Sequence, residues 1–177
     1  MCRALVTPSV FGHRDLREQL HEHDRQVAAY DVRLRILARA SEPARRLMQI
    51  ESIGAMTATA IVASMGDLKV FHSGRNYAAS LGLTPRQYSS GGTIRLGQIT
   101  KQGDPYVRTL LVHGARSYLR SVDRKSDAKS AWARRLKERR HVNVAAVAVA
   151  AKHARIAWAI LAHDSNYRPA GPASVVV

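Results

Sequence analysis

Cysteine, acidic side chains and long apolar runs are all scarce in this sequence of 177 residues. The one cysteine, Cys2, excludes a disulfide framework and a cysteine-based zinc site. No stretch approaches the roughly 18 consecutive apolar residues of a membrane span, and segment 1–15 lacks the apolar core of a secretory signal. These absences predict a cytoplasmic protein without a membrane partner.

The shortage of acidic residues is concentrated in the second part of the chain. Residues 1–67 contain nine Arg against eight Asp and Glu, whereas residues 68–177 contain nineteen Lys and Arg against five Asp and Glu. A domain with that surplus repels itself and attracts polyanions. Nucleic acid is the first candidate partner, because phosphates bound by Lys and Arg release their counterions. An anionic membrane surface and a merely solvated basic surface are the alternatives.

The chain begins with a predicted flexible segment (1–13) and a predicted long helix (14–40). The helix carries apolar residues at alternating steps of four and three, the spacing of a coiled-coil seam. This seam predicts a homo-oligomer or, equally, docking of the helix onto its own domain. Its members are Leu16, Leu20, His23, Val27, Tyr30, Leu34 and Leu37.

Residues 41–166 are predicted to form one helical domain, which makes the fold all-α. Ser41 has the side chain of an N-cap, and Gly54 separates its helix from a second one made of small residues. Two short helices around such a turn (about 43–65) are typical of a helix-hairpin-helix, whose backbone N–H groups, here at Gly54, meet a DNA phosphate without reading bases. An ordinary helical turn with a glycine corner fits the same spacing.

The remaining helices follow from their caps. Ser73 predicts a short helix that ends near Leu81, and Asp104 followed by Pro105 predicts a helix to about Ser121. Apolar patterning predicts two more helices, at 129–140 and 144–163. Only segments 93–96 and 98–100 could pair as strands, and 167–177 is predicted to be a flexible tail.

The segment 84–103 is polar and glycine-rich, with three cations and no acidic residue. Ser90 precedes two glycines and is therefore sterically open, with Ser89 beside it. A serine hydroxyl is a weak nucleophile that needs a base or a cationic field, which Arg86, Arg95 and Lys101 could supply. A flexible loop without chemistry has the same composition.

Other chemistry is poorly supported. Carboxylates lie in the first helix, at helix caps or among solvated charges, so we predict no metal site in this chain. His113 lies near the apolar side of its helix and is expected to be a hydrogen-bonded core residue. From the same helix Arg108 and Arg116 project as candidate phosphate contacts.

Several motifs occur in a fixed order between Ile50 and Arg120. They are an Ile-Gly hairpin, a Gly-Leu-Thr-Pro turn, the Ser-Gly-Gly loop, a Lys-Gln-Gly-Asp helix start and an Arg-Thr-Leu-Leu segment. In this order the sequence resembles the C-terminal domain of the transposases of insertion sequences 110, 116 and 902. Some members of that family are RNA-guided "bridge" recombinases. The resemblance covers about residues 14–167.

The resemblance implies roles for particular residues. Ser90, with Ser89 as its neighbour, would be the nucleophile that becomes joined to a DNA strand. Lys101, Arg95 and Arg108 would lie near DNA phosphates, and the first helix would belong to an oligomerisation coiled coil. DNA is the implied partner, together with a guide RNA in the bridge type.

The same resemblance implies a further domain that this sequence does not contain. Family members carry an N-terminal RNase H-like domain, whose acidic residues bind Mg²⁺ and complete the active site with the serine. We therefore expect a truncated copy or one half of a split enzyme, which binds no cofactor itself and binds DNA without recombining it. The alternatives are a non-catalytic helix-hairpin-helix module and a structural RNA-binding protein.

Overall fold

The computed structural model describes residues 8–66, 70–90, 92–169 and 171, with side chains from residue 14 onward. The described residues form seven α-helices, one short 3₁₀ helix and a two-stranded antiparallel hairpin, which confirms the all-α class. In chain order they are α1 (Pro8–Ala40), α2 (Glu42–Leu47), α3 (Ala55–Met65), α4 (Gly74–Ser80), β1 (Pro85–Gln87), β2 (Leu96–Ile99), α5 (Pro105–Ser121), the 3₁₀ helix (Val122–Arg124), α6 (Ala128–Arg139) and α7 (Val142–Ala162).

The predicted helix starts are confirmed in their hydrogen bonds. Ser41 Oγ accepts from the N–H of the third residue on, and Ser73 Oγ does the same. Asp104 Oδ1 accepts from two N–H groups of the first turn of α5, at 2.7 and 3.2 Å. Each cap satisfies N–H groups that a helix leaves unpaired at its start, and so fixes where the helix begins.

The centre of the core is α7, which packs against α5 and α4. Its inward side is built largely of alanine, and the small side chains allow the neighbouring helices to approach closely. Among the described residues, α7 is also the one helix whose length and composition would allow it to cross a membrane. Half of the most apolar 18-residue stretch of α7 is buried inside the fold, as expected for a core helix.

The seam of α1 is mostly exposed. At the C-terminal end, α1 packs against α2 and α3 through Ala38, which is fully buried and lies beside the seam, and Leu34 is the one seam residue that is partly buried. Leu16, Leu20, Val27, Tyr30 and Leu37 are each about 60% exposed. The helix therefore docks on its own domain at one end and leaves nearly all of its apolar seam open.

The end of the chain is partly anchored. Tyr167, where the predicted tail begins, donates its N–H to Gln49 Oε1 at 2.9 Å, and its hydroxyl accepts from Lys129 Nζ at 3.1 Å. Gln49 in turn donates to Asn166 Oδ1. Segments 1–7 and 172–177, which belong to the predicted flexible ends, lie outside the described residues.

Candidate nucleic-acid interface

A small hairpin projects between α4 and α5 and carries the candidate serines. Its strands pair Pro85 with Ile99 and Gln87 with Leu96, with an irregularity between the two pairs. The Tyr88 N–H continues the ladder by donating to the Arg95 carbonyl at 2.8 Å. The prediction that 93–96 pairs with 98–100 was wrong, because the chain turns earlier and β2 pairs back with the segment before the serines.

The base of the hairpin is packed backbone against backbone. Gly82 and Gly103 have φ of 67° and 76°, and a Cβ at Gly103 would lie 1.7 Å from the Ser80 carbonyl oxygen. Lys101 also adopts a left-handed φ of 57°, and its N–H donates to the Gly82 carbonyl. Only glycine fits where the two backbones meet at positive φ. The hairpin is therefore fixed rigidly at its base.

Arg108 holds this base together. Its Nη1 donates to the carbonyl oxygens of Leu81 and Gln102, at 3.0 and 2.9 Å. These two carbonyls belong to the two chain segments that enter and leave the hairpin. The predicted phosphate contact of Arg108 is thus accompanied by a structural role that the sequence did not indicate, and the guanidinium is tied to the protein backbone.

Ser89 and Ser90 are both exposed at the distal part of the hairpin. Ser89 Oγ accepts a hydrogen bond from Gln87 Nε2 at 2.9 Å. Within the described residues, the Ser90 hydroxyl makes no hydrogen bond, and its backbone carbonyl is fixed by the Thr93 N–H at 3.1 Å. The following Gly91 lies outside the described residues. The two hydroxyls therefore differ, since one is engaged by a neighbouring amide and the other is open.

Three cations lie on the hairpin or at its base. Arg86, Arg95 and Lys101 are all exposed, and none of them forms an ion pair with the carboxylates in the part of the chain that the structure describes. Arg86 and Lys101 line a cavity of about 290 Å³ together with Tyr88. Uncompensated cations at an exposed surface create a field that attracts anions.

The turn between α2 and α3 presents a second feature. Gly54 is the N-cap of α3, with φ of −88°, no side-chain cap and no atom within 4 Å of a Cβ built on it. The N–H groups of the first turn of α3 therefore have no side-chain acceptor at the cap. Behind this turn Ser52 adopts φ of 66°, and its carbonyl packs against Gly114 of α5.

Arg116 is separate from the hairpin cations. Its Nη2 donates to Asn143 Oδ1 at 3.3 Å, and it lines a cavity of about 310 Å³ with Arg120 and Lys137. It lies eleven residues along α5 from Pro105, or about 16 Å at the helical rise. The predicted phosphate contacts thus fall on two surfaces, and Arg116 belongs to the one away from the serines.

The structure also contains a buried cation that the sequence analysis missed. Lys129 is only 4% exposed, and its ammonium lies 3.4 Å from Glu51 Oε2 and over the ring of Tyr118. The Tyr167 hydroxyl accepts its hydrogen bond. These contacts join α6 to the α2–α3 turn, to α5 and to the C-terminal segment. No local pattern marks Lys129, because its partners come from distant parts of the chain.

The buried histidine is His153 and not His113. His113 is exposed on α5, so the prediction of a core residue was wrong; α5 turns that side toward solvent. His153 is 1% exposed on α7, its ring packs edge-on against Tyr118, and neither ring nitrogen has a hydrogen-bond partner among the residues that the structure describes. Burial, together with the nearby ammonium groups of Lys129, Lys152 and Lys125, lowers the pKa of His153 to about 3. The signal for this burial was the Ala- and Val-rich sequence around it.

Metal ligands are not gathered anywhere in the described part of the chain. No group of three or more His, Cys, Asp or Glu side chains lies close enough to hold an ion there. The acidic residues nearest to the hairpin in sequence, such as Asp104, serve as helix caps. The described residues therefore do not fit a Mg²⁺ site, and the hairpin supplies a hydroxyl and cations only.

The sequence matches known transposases over most of its length. It is 46% identical over 156 residues to a probable family 20 transposase of Pseudomonas aeruginosa, which covers 88% of this chain and 46% of that protein. It is 43% identical over 153 residues to the transposase for insertion sequence element IS1111A of Coxiella burnetii, covering 86% of this chain and 42% of that protein. It is 39% identical over 149 residues to the transposase for insertion sequence element IS1328 of Yersinia enterocolitica.

The chain thus spans less than half the length of these curated relatives. The family model for the transposases IS116/IS110/IS902 matches residues 44–133, which extend from α2 into α6 and include the hairpin. The residues matched by the family model contain all the motifs that occur in order between Ile50 and Arg120. The chain belongs to the IS116/IS110/IS902 family of transposases.

Proposed function

We propose that this chain is the DNA-binding part of a transposase and that it contributes Ser90 as the nucleophile for strand cleavage and joining. The observation that carries the proposal is the hairpin, which has an open hydroxyl at its distal part, the unpaired cations Arg86 and Arg95 along its length and Lys101 at its base. Cations near a phosphodiester stabilise the negative charge that develops on its oxygens during attack.

We assign DNA binding to the hairpin because its cations are unpaired and its base is fixed. Arg86 and Arg95 flank the serines on either strand of the hairpin, and Lys101 stands at its fixed base. Because no carboxylate of the described residues neutralises them, each is available to a phosphate. Phosphate contacts of this kind give affinity without sequence preference, and that affinity falls steeply with salt.

Ser90 is the better nucleophile of the two serines. The Gln87 amide donates to Ser89 Oγ and occupies one of its lone pairs. In the proposed step Ser90 Oγ bonds to phosphorus, the bond from phosphorus to one strand oxygen breaks, and that oxygen takes up a proton as the hydroxyl end of the released strand. The covalent link conserves the phosphodiester for later rejoining.

The proton acceptor and the metal would come from another domain of the longer transposase. The described residues contain no carboxylate or histidine cluster that fits either role. We therefore propose that residues 1–177 alone bind DNA but do not become joined to it. The acidic, Mg²⁺-binding RNase H-like domain expected for the family would complete the reaction.

The test of the serine uses a full-length relative or a complex that supplies the acidic domain. Ser90→Ala should abolish covalent protein–DNA products in a denaturing gel, while DNA binding stays unchanged. Ser89→Ala is the matched control and should retain the products. Loss of joining in Ser89→Ala with joining intact in Ser90→Ala would reassign the nucleophile, and joining in the double variant would reject a serine mechanism.

The test of the cations measures duplex DNA affinity of this chain by fluorescence anisotropy over a salt series. Arg86→Ala and Arg95→Ala should each weaken binding and make the slope of log K against log salt shallower by about 0.9. Arg25→Ala is the matched control, because Arg25 is already paired with Glu22 at 2.6 Å on α1. Equal effects of all three substitutions would contradict the proposed surface.

A second candidate, the non-catalytic helix-hairpin-helix module, is favoured by the uncapped start of α3. A phosphate could accept from the N–H groups that follow Gly54, aided by the helix dipole. Gly54→Asp and Gly54→Asn should both cap the helix, because there is room for the side chain and φ is compatible. If a phosphate binds there, both side chains should weaken DNA binding, because they accept from the same N–H groups. Asp should weaken it more than Asn, because its charge also repels the phosphate.

Two further partners belong to the proposal. The exposed seam residues of α1, such as Leu20 and Val27, would pair with another copy of the chain in a homo-oligomer. A guide RNA would bind the same basic surfaces. Competition between duplex DNA and structured RNA over a salt series separates a DNA-binding transposase part from a structural RNA-binding protein, which would prefer the RNA.

A further inference from the structure

An exposed aromatic side chain stands beside the serines. Tyr88 is 62% exposed, although a tyrosine on a protein surface normally covers part of its ring. Its N–H is held by the Arg95 carbonyl, so the backbone that carries the ring is fixed. The side chain is therefore presented to solvent from a rigid position two residues before Ser90.

One part of the ring rests on glycine. A Cβ at Gly97 would lie 2.9 Å from Tyr88 Cε2, so the ring crosses the β2 backbone where a side chain is missing. The hairpin also exposes Ile94 and Leu96, which are 72% and 63% exposed. Because Leu96 pairs with Gln87, Ile94 and Leu96 lie on the face of the hairpin opposite to Tyr88. The ring itself, and not an apolar patch, is therefore the exposed feature on the face that carries Tyr88.

The chemistry around Tyr88 favours a nucleotide over an apolar partner. Arg86 and Lys101 line the same cavity of about 290 Å³ as Tyr88, and the segment 84–103 contains no acidic residue. An aromatic ring between cations is the arrangement with which proteins bind single strands, the ring stacking on a base and the cations on phosphates. A base inside a duplex cannot stack on it, because both its faces are covered by neighbouring bases.

We propose that Tyr88 stacks on an unpaired nucleobase of the DNA strand that Ser90 attacks. The proposal rests on the proposed function, and it adds that the hairpin selects a locally unpaired strand. Since Tyr88 and Ser90 are two residues apart, their Cα atoms are separated by at most about 7 Å. The stacked base would thus belong to a nucleotide close to the attacked phosphate, and stacking would position that phosphate.

The test measures the affinity of the 177-residue chain for three fluorescein-labelled DNAs. They are a continuous duplex, the same duplex with one unpaired adenine, and that duplex with an abasic site in place of the unpaired adenine. Wild type should bind the unpaired base about tenfold more tightly than the abasic DNA, since stacking on one aromatic ring contributes about 1–3 kcal/mol. Tyr88→Ala should remove this difference between the unpaired-base and the abasic DNA.

Two control variants test whether the effect depends on the aromatic ring at position 88, and circular dichroism tests whether Tyr88→Ala is folded. Tyr88→Phe should keep the preference for the unpaired base, because the ring remains. Tyr106→Ala removes a tyrosine that is 56% exposed on α5, outside the hairpin, and should also keep it. Circular dichroism of Tyr88→Ala should match wild type, since the ring contributes little to the core.

Equal binding of the unpaired-base and abasic DNAs by wild type would overturn the stacking proposal while leaving DNA binding intact. The same holds if Tyr88→Ala weakens all three DNAs equally, because the ring would then act on the duplex. If wild type binds none of the three, the proposed function fails and the stacking proposal with it.

Discussion

Gly114 of α5 touches the carbonyl oxygen of Ser52 in the α2–α3 turn, and a Cβ at Gly114 would lie 2.5 Å from that oxygen. A glycine in the middle of a helix costs about 1 kcal/mol relative to alanine. Here it permits the turn that carries Gly54 to sit directly on α5. The two regions proposed to bind DNA are therefore connected through one close backbone contact, because the hairpin is attached to the start of the same helix.

Gly114→Ala should destabilise the protein although alanine is the better helix former. The added methyl group forces the Ser52 carbonyl away, and overpacking of this kind costs about 1–3 kcal/mol. Urea unfolding followed by circular dichroism measures the change. Ser117→Ala is the control, because Ser117 is exposed on the same helix and alanine is the better helix former, so it should change the free energy of unfolding little. Equal stability of the two variants would contradict the close contact.

Arg108→Ala should loosen the hairpin. It removes the donor shared by the Leu81 and Gln102 carbonyls. Hydrogen bonds of a charged group contribute about 1.5–3 kcal/mol net, and less where the bond is exposed to solvent, as the one to Gln102 is. We expect a loss of about 2 kcal/mol in the free energy of unfolding and faster amide exchange at the hairpin base. Arg116→Ala, which loses one exposed hydrogen bond to Asn143, should cost much less.

The pair of Lys129 and Glu51 should respond asymmetrically to substitution. Glu51→Gln leaves the buried ammonium without its carboxylate and also breaks the pair of Glu51 with Lys125 at 2.9 Å. It should cost about 2 kcal/mol, less than the roughly 3–5 kcal/mol of a fully buried pair, because Glu51 is partly exposed. Lys129→Met removes the charge that needs a partner and keeps the volume, so it should be nearly neutral. Thermal and urea unfolding measure both. If Lys129→Met proved the more destabilising, the pair itself would be the stabilising element.

Stability should fall in mild acid because of His153. The pKa of His153 in the folded chain, about 3, lies below its ordinary value of 6.5. Between these two pH values the imidazole is protonated in the unfolded chain and neutral in the folded one. The stabilisation is complete above pH 6.5 and is lost as the pH falls toward 3, by about 1.4 kcal/mol per pH unit. His153→Phe should remove this part of the pH dependence while keeping the edge-on contact with Tyr118. If the free energy of unfolding of wild type and of His153→Phe fell equally between pH 7 and 5, His153 would not be the source of the pH dependence.

The open end of the α1 seam should cause self-association. Leu20 and Val27 are exposed on one stripe, and their pairing with a second copy would bury it. Light scattering should show a mass that rises with concentration and a monomer for the Leu20→Asp, Val27→Asp double variant. Gln19→Asp adds a charge beside the stripe and should leave association unchanged. A wild-type monomer at every concentration would exclude the seam as an interface.

The sequence was sufficient for the helices and insufficient for the contacts between them. Caps such as Ser41, Ser73 and Asp104 act within four residues, so the helix starts could be read directly from the sequence. The pairing of β1 with β2 could not, because the two strands are short, exposed on both sides and joined across eight residues, which leaves no alternation to specify the register.

The same division applies to the candidate site. The serines and the cations Arg86, Arg95 and Lys101 could be proposed from the sequence because they lie in one continuous segment. The bonds of Arg108 to Leu81 and Gln102 depend on how α5 meets that segment, and the burial of Lys129 depends on three distant parts of the chain. The expected environment of His113 was wrong because α5 has a mixed pattern, where tertiary packing decides which side faces inward.

The contact of Gly103 with Ser80 has a consequence for any attempt to redesign the hairpin. With 1.7 Å between a methyl carbon added at position 103 and the Ser80 carbonyl oxygen, no residue larger than glycine fits there. Changes of sequence are therefore best placed at the distal end, between Gln87 and Arg95. New substrate preferences would have to be engineered by grafting short tips onto an unaltered stem, much as antibody loops are exchanged on a constant framework.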